Sequence, residues 1–353
     1  MRLRRSSERG DEVEALAAAL ADAGGGRVGL SELLSDLDRT ATVARVPASA
    51  AHWGFRWDDE DVRSRRWWPQ GITTSADHDD AEVYDERRVV LTSWYSKELD
   101  GVNMGSRITV VDLSEDRPRY RHVLLVDAFT RDDGTVDVRP LKVHAGGIVW
   151  HGEHLHVAST ARGFATCRLD DVMRVGELGD RGRLGVGSGS FGYRYLLPVR
   201  FTYDGLADEG HEPMRYSFFS LDRTSPEPRL VAGEYGRGGR TTRLLDYAID
   251  PSTCLLRVSE DAISLPSTLS TQGVWRMQGA TVVDGRWYVT TSAGPYLRGS
   301  MYVGGPGAFR RRACVLPVGV EDIAYWPSRD ELWSLSEYPG RRYVFAMSRS
   351  GLG

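Results

Sequence analysis

The chain has 353 residues, 41% of them hydrophobic, with 10 Trp, 15 Tyr and 39 Gly; that apolar and aromatic mass supports a packed core and excludes an intrinsically disordered protein. Its 45 basic and 49 acidic residues leave a formal net charge of -4, so no global field holds a polyanion such as DNA by counterion release. The Arg-rich spots at residues 2–5, 63–66 and 310–312 are short, lack stacking aromatics on a shared face and read as solvated surface.

The chain opens MRLRRSSERGDEVE, where acidic residues follow basic ones before any apolar run, and no later stretch approaches the length of a membrane span. Neither a secretory leader nor a membrane contact is expected, and the cytoplasm is the expected compartment. Across residues 12–23, Val13, Leu16, Ala17 and Leu20 fall on one helical face, which predicts an amphipathic helix stopped by Gly24-Gly25-Gly26. A second short helix is expected from Ser31 as N-cap, with Leu33, Leu34 and Leu37 on one side. The glycine turn is too loose for a DNA-binding helix pair and the second helix has no base-reading side chains. Residues 1–39 are therefore expected to be a helical lead, and residues 40–353 the main domain.

Beyond residue 40 the helical period gives way to short β-branched and aromatic runs separated by Gly, Asp-Gly and Pro, which predicts antiparallel strands. One phrase recurs: a polar residue beside Gly or Asp, then Ile or Ala, a few alternating residues, a turn, and a second strand ending in Ser or Thr. The first copy starts at Gln70-Gly71-Ile72 and continues through strands at 89–94, 107–112 and 120–126. The second starts at Gly146-Gly147-Ile148 and continues through 154–159 and 164–169. The third, the most degenerate, is aligned as 195–203, 215–221, 229–235 and 243–249. The fourth starts at Gln278-Gly279-Ala280, with strands at 287–292, 299–303 and 312–316. The fifth is 321–326, 331–336 and 342–347, and its missing fourth strand is expected from residues 40–46, which would close a ring.

The phrases QGIT, GGIVWHGEHLHVAS, QGATVVDGRWYVTTS and EDIAYWPSRDELWSLS resemble the inner and second strands of β-propeller blades, as in lactonase-like and strictosidine-synthase-like proteins. The resemblance is architectural and covers most of residues 40–350. The fold class expected is all-β, a five-bladed β-propeller with a short α-helical N-terminal segment; a two-sheet sandwich is the competing arrangement. The Asn and Asp calcium ligands typical of lactonase-like propellers have no matching set here.

In a propeller the first strand of every blade lines the central channel, and equivalent positions converge. Aligning the copies places Gln70, Gly146, Gln278 and Glu321 at one level, and period-2 alternation places Trp68, His144, Arg276 and Gly319 on the same face two residues earlier. His144 is the expected proton-transfer group, because imidazole titrates near neutral pH. Glu321 and Asp322 are its expected carboxylate partners in catalysis. Trp68, Gln70, Arg276 and Gln278 are the expected substrate-binding set. The competing use of such a ring is to tie blades together, since buried polar groups must be satisfied in any case.

Other constellations are weaker. His154 and His156 share a strand face and would chelate a metal only with further ligands, which this segment lacks, so no metal site is expected and the histidines, with His151 in the turn, read as surface groups. Cys167, Cys254 and Cys314 are far apart and read as small core residues. The glycine-rich stretch 176–192 lacks the ending of a phosphate loop and reads as a long connection, and the acidic segment around Asp77, His78, Asp79 and Asp80 reads as a solvated hairpin tip. No serine-hydrolase elbow occurs, and carboxylates on one blade alone do not suit a five-bladed glycosidase. The expectation is a small-molecule enzyme without organic cofactor, of lyase, cyclase or isomerase type, acting on a ligand in the channel and binding neither nucleic acid nor membrane. A non-catalytic ligand-binding or interaction propeller is the alternative, because both need the same polar convergence.

Overall fold

The computed structural model describes residues 1–160, 162–176 and 189–352. The strand β1 (Trp67–Thr74) starts an antiparallel series continued by Val89–Ser96, Ser106–Asp112 and Arg119–Thr130. The strand β2 (Ile148–His151) starts the next, continued by His154–Ala158, Gly163–Arg168 and Tyr195–Leu206. These two series join in one 14-stranded sheet, because Leu196 and Leu197 run parallel to Leu124 and Leu125. Then β3 (Phe218–Asp222) leads Arg229–Gly233, Leu244–Asp250 and Leu255–Leu256, and β4 (Met277–Val283) leads Arg286–Thr291, Ser300–Gly304 and Arg310–Arg312. Last, β5 (Val320–Trp326) leads Glu331–Ser336 and Tyr343–Ser348, and Ala51–Arg56 pairs on the outside.

The leading strands touch in the cyclic order β1, β2, β3, β4, β5 and back to β1. Antiparallel sheets radiating from such a ring are a β-propeller, not two stacked sheets. Glycine sets how close the ring strands come: a Cβ at Gly147 would lie 2.1 Å from the Phe219 nitrogen, and one at Gly279 would lie 2.7 Å from the Asp322 Cα. Small hydroxyls do the tying. Ser93 Oγ donates to the Ala145 carbonyl at 2.7 Å, Ser220 Oγ to Ala280 at 2.6 Å and Thr290 Oγ1 to Glu321 at 2.7 Å, each reaching from one sheet into the next. For Ser93 and Thr290 this is the physical content of the Ser or Thr toward the end of the repeated phrase, whereas Ser220 reaches across from the leading strand β3.

Three expectations are corrected. The closing strand is Ala51–Arg56, not residues 40–46; Phe55 is fully buried there, and a Cβ at Gly54 would lie 2.7 Å from the Val344 carbonyl, whereas Thr42 and Val43 are exposed and add only an outer edge. The third copy is out of step by one strand, since Tyr195–Leu206 pairs with Gly163–Arg168 as the outer strand of the preceding series. Its long, mostly buried run looks like an inner strand but is buried by the neighbouring sheet and the N-terminal elements.

The first 39 residues are not only helical. Arg2–Arg5 is a strand on the edge of Tyr195–Leu206, ahead of helices α1 (Gly10–Asp22) and α2 (Gly29–Ser35). Gly29, at φ +73°, turns the chain into α2 before Ser31, so Val28 takes the cap position and the Ser31 hydroxyl meets Tyr84 instead. Val13, Leu16 and Leu20 of α1 are fully buried in the same apolar cluster as Trp57, Trp94 and Tyr120.

Candidate functional site

Three of the ring strands carry a β-bulge at the same height. Pairing with the second strand jumps from Pro69 to Ile72 in β1, from Met277 to Gly279 in β4 and from Val320 to Ile323 in β5. A bulge frees a side chain from strict alternation and re-aims it. The released residues include Gln70, Gln278 and Glu321, and all three line one cavity of about 480 Å³ at a mouth of the ring.

Glu321 is 3% exposed and accepts from Gln278 Nε2 at 2.9 Å. Facing it is Glu337, just past the second strand of the same sheet, which accepts from Gln70 Nε2 at 3.1 Å. Both carboxyls line the same cavity. Burial, then the neighbouring Glu337 and Asp322, hold the Glu321 carboxyl well above the usual carboxylate range. Burial also raises Glu337, while Gln70, Lys97, the Tyr338 phenol and Arg342 oppose that rise. Two like charges on one wall disfavour ionisation of both carboxyls together.

The rest of the wall is basic and aromatic. The Tyr95 and His144 rings meet at 4.3 Å between centroids, tilted by 36°, and Arg215, Ser217, Tyr235 and Arg240 line the same cavity from the β3 sheet. The protein crowding the concavity, with Lys97, lowers the pKa of His144, yet the ring is open to solvent, which limits the shift. Burial and then the two glutamates raise the Tyr95 phenol, so it stays protonated as a donor.

The structure thus brings together Gln70, His144, Gln278 and Glu321, but not Trp68, Arg276 or Asp322. Trp68 lies behind the wall, its indole donating to the Arg65 carbonyl and carrying Lys97 Nζ at 3.2 Å over its face. Arg276, at φ +61°, is exposed and does not line the cavity, and its backbone bonds Gly236 and Ser292. Asp322 is fully buried inside the ring, where its carboxylate accepts the Ile72 N–H at 3.2 Å and also meets the Ile148 and Ile323 amides. Burial raises its pKa well above normal. It ties β5 to β1 and β2.

Residues outside the expected set complete the site. Aligned on Phe219 in place of Ile72, β3 offers Ser217 and Arg215 at the two levels occupied by Gln70 and Trp68 in β1. The one-strand slip in the third copy hid them. Tyr95 lies near the end of its second strand and Tyr235 and Glu337 just past the ends of theirs, next to the Ser and Gly that close the phrase, and that position was the available signal.

Elsewhere the expected surface groups are largely interior. His151 is buried with Nδ1 3.0 Å from the Asp77 carbonyl, and fully buried His156 has Nδ1 2.9 Å from Thr166 Oγ1. Asp77 is no hairpin tip: it is buried in a helical turn, Ser75–His78, where it accepts from Thr73 Oγ1, and burial pushes it up to about 6. Of the cysteines only Cys167 is core; Cys254 is half-buried and Cys314 exposed. Most of the glycine-rich stretch 176–192 lies outside the described residues. Among the described residues no cluster of three or more His, Cys, Asp or Glu could hold a metal, and no helix is long and apolar enough to cross a membrane.

No protein-family description matches the chain, and no curated protein matches it in sequence. Solved structures similar to it include a GH43_1 enzyme from Xanthomonas citri complexed with xylotriose, at 11% identity and TM-score 0.35, covering 95% of this chain and 92% of that one. A gluconolactonase from Xanthomonas campestris gives 12% identity and TM-score 0.34 over 89% and 85%. The β-propeller domain of Cps50 (Swd1) from Myceliophteria thermophila gives 10% and 0.33 over 88% and 97%. Likeness this distant carries no argument about activity, and the propeller rests on the strand pairing above.

Proposed function

We propose that the chain is a small-molecule enzyme that moves protons without an organic cofactor, a lyase, cyclase or isomerase, with Glu321 and Glu337 as its acid–base pair. The observation that carries the reading is the placing of buried Glu321 and half-buried Glu337, each steadied by a glutamine, on the wall of one metabolite-sized cavity. In that arrangement the ionised carboxylate takes a proton from the substrate while the protonated one gives a proton to another substrate atom. A proton passing from one carboxyl to the other then restores the starting state, so no redox partner is needed. Tyr95, held protonated, supplies a hydrogen-bond donor where negative charge develops. His144 becomes a rim residue in this reading.

Small carboxylic and phosphorylated compounds incubated in D2O and followed by NMR test the proposal. Conversion or deuterium uptake by the wild type, slowed roughly a hundredfold or more in both Glu321→Gln and Glu337→Gln, supports it. Conversion that persists in both variants overturns it, and saturable binding with no conversion of any compound favours the non-catalytic propeller.

A further inference from the structure

We infer that the cavity takes a substrate bearing a carboxylate or phosphate, gripped by Arg240 and Arg215 on the wall opposite the carboxyl pair. The inference rests on the acid–base reading only in taking this cavity as the substrate site. Arg240 stands at the end of the loop Gly236-Arg237-Gly238-Gly239-Arg240, lines the cavity, and has no hydrogen-bond or ion-pair partner among the described residues. Gly238 and Gly239 have φ of +62° and +84°, values that suit glycine and bring Arg240 back over the mouth. The loop is anchored on both sides: the Gly236 carbonyl accepts from the Arg276 N–H at 3.0 Å, and Thr241 Oγ1 donates to Glu234 Oε2 at 2.7 Å.

Charge counting around the anchor points the same way. Glu234 is fully buried, and Arg243 already holds both of its oxygens, Nε to Oε2 at 2.8 Å and Nη2 to Oε1 at 2.6 Å. Arg215 reaches that carboxylate only at 3.7 Å, and the Glu212 carboxylate at 3.8 Å is mostly exposed. Its Nε is buried with no hydrogen-bond partner among the described residues. A buried donor left unpaired is costly, and a planar guanidinium pairs most strongly with a carboxylate or phosphate. One buried carboxylate thus serves two arginines, and Arg240 adds a third cation with none. The wall offers surplus positive charge to an anion, while the opposite wall offers the carboxyl pair. A ligand filling about 480 Å³ touches both.

Calorimetric titration of the intact chain with sodium benzoate and with sodium phosphate tests this and separates the two anion chemistries. One of the two should bind saturably. Arg240→Ala should weaken it at least about tenfold, Arg240→Lys should lose less, and Arg237→Ala, in the same loop but off the cavity, should match the wild type. Glu321→Gln should bind the anion at least as tightly, because it adds no negative charge and leaves both arginines in place. No saturable binding of either anion, or equal weakening by Arg240→Ala and Arg237→Ala, overturns the inference. Anion binding lost in Arg240→Ala, together with catalysis that survives in Glu321→Gln, sinks the acid–base assignment while leaving the anion site in place.

Discussion

Glu321 and Glu337 face each other from adjoining strands of one sheet, each bound by a glutamine from a different neighbouring sheet. Gln278 comes from β4 and Gln70 from β1, so the carboxyl pair sits where three sheets meet and its geometry reports on closure of the ring. The carboxyls are also an energetic liability, because burial disfavours their ionised forms. Such a cost at a bulged, concave position is a recognised mark of functional sites.

That liability predicts a pH dependence of stability. Glu321 is held protonated above the range of an unfolded glutamate, so its contribution is fully present below about pH 4.3 and is lost as pH rises through the folded value. Urea denaturation of the wild type between about pH 5 and 8 should show stability falling with pH, by up to about 1.4 kcal/mol per unit from this group. Asp322 shifts in the same direction, so the informative comparison is with Glu321→Gln, whose slope should be flatter. Identical slopes in the two proteins would falsify the raised Glu321.

Asp322→Ala should act on the fold. Removing its carboxylate strands the Ile72 N–H inside the ring, together with the amides of Ile148 and Ile323 that face it. The expected loss is about 1–3 kcal/mol in chemical denaturation. Anion binding in the folded protein should be nearly unchanged, since Asp322 does not line the cavity. A variant as stable as the wild type would show that the ring does not depend on this tie.

How far the sequence disclosed this site depends on which strands kept a clean repeat. Gln70, Gln278 and Glu321 were readable because Gly or Asp follows each of them at the same step, and that pairing marks the bulges. Arg215 and Ser217 were hidden because Tyr195–Leu206, buried by its neighbours, imitates the apolar pattern of an inner strand. Arg276 was assigned to the channel by period-2 alternation, which fails at a bulge and at a positive φ, and Asp322 only as the neighbour of Glu321. Glu337 is contiguous with the repeat but lies past its end, where only the closed ring brings it against Glu321.

A second buried carboxylate tests how the N-terminal segment is fastened. Asp61 accepts from Arg107 Nη2 at 2.6 Å and from the Tyr120 hydroxyl at 2.8 Å, and lies 2.8 Å from His122 Nε2, while Arg342 donates to its carbonyl at 2.5 Å. It links the segment before β1 to the first sheet and to the last. Although burial acts to raise its pKa, His122 and Arg107 bring it well below the usual range. Asp61→Ala leaves the buried Arg107 guanidinium without its carboxylate, and the expected loss is about 3–5 kcal/mol. A melting temperature close to that of the wild type would count against the tie.

The final prediction separates His144 from the carboxyl pair as the proton-transfer group. His144 is solvent-open and its clearest contact is the tilted ring contact with Tyr95, so His144→Ala should cost no more than about 1 kcal/mol in stability. If the carboxyls carry the chemistry, the same change should slow turnover less than about tenfold, whereas Glu321→Gln should slow it about a hundredfold or more. The opposite pattern, a hundredfold loss in His144→Ala with Glu321→Gln nearly intact, would return the catalytic role to the imidazole. Arg276→Ala provides the background: the residue is exposed and does not line the cavity, so anion affinity and turnover should both match the wild type. A tenfold loss of anion affinity there would mean that Arg276 swings into the mouth when ligand binds, and the grip would then belong to three arginines, with Arg276 contributing through a backbone turn already set at positive φ.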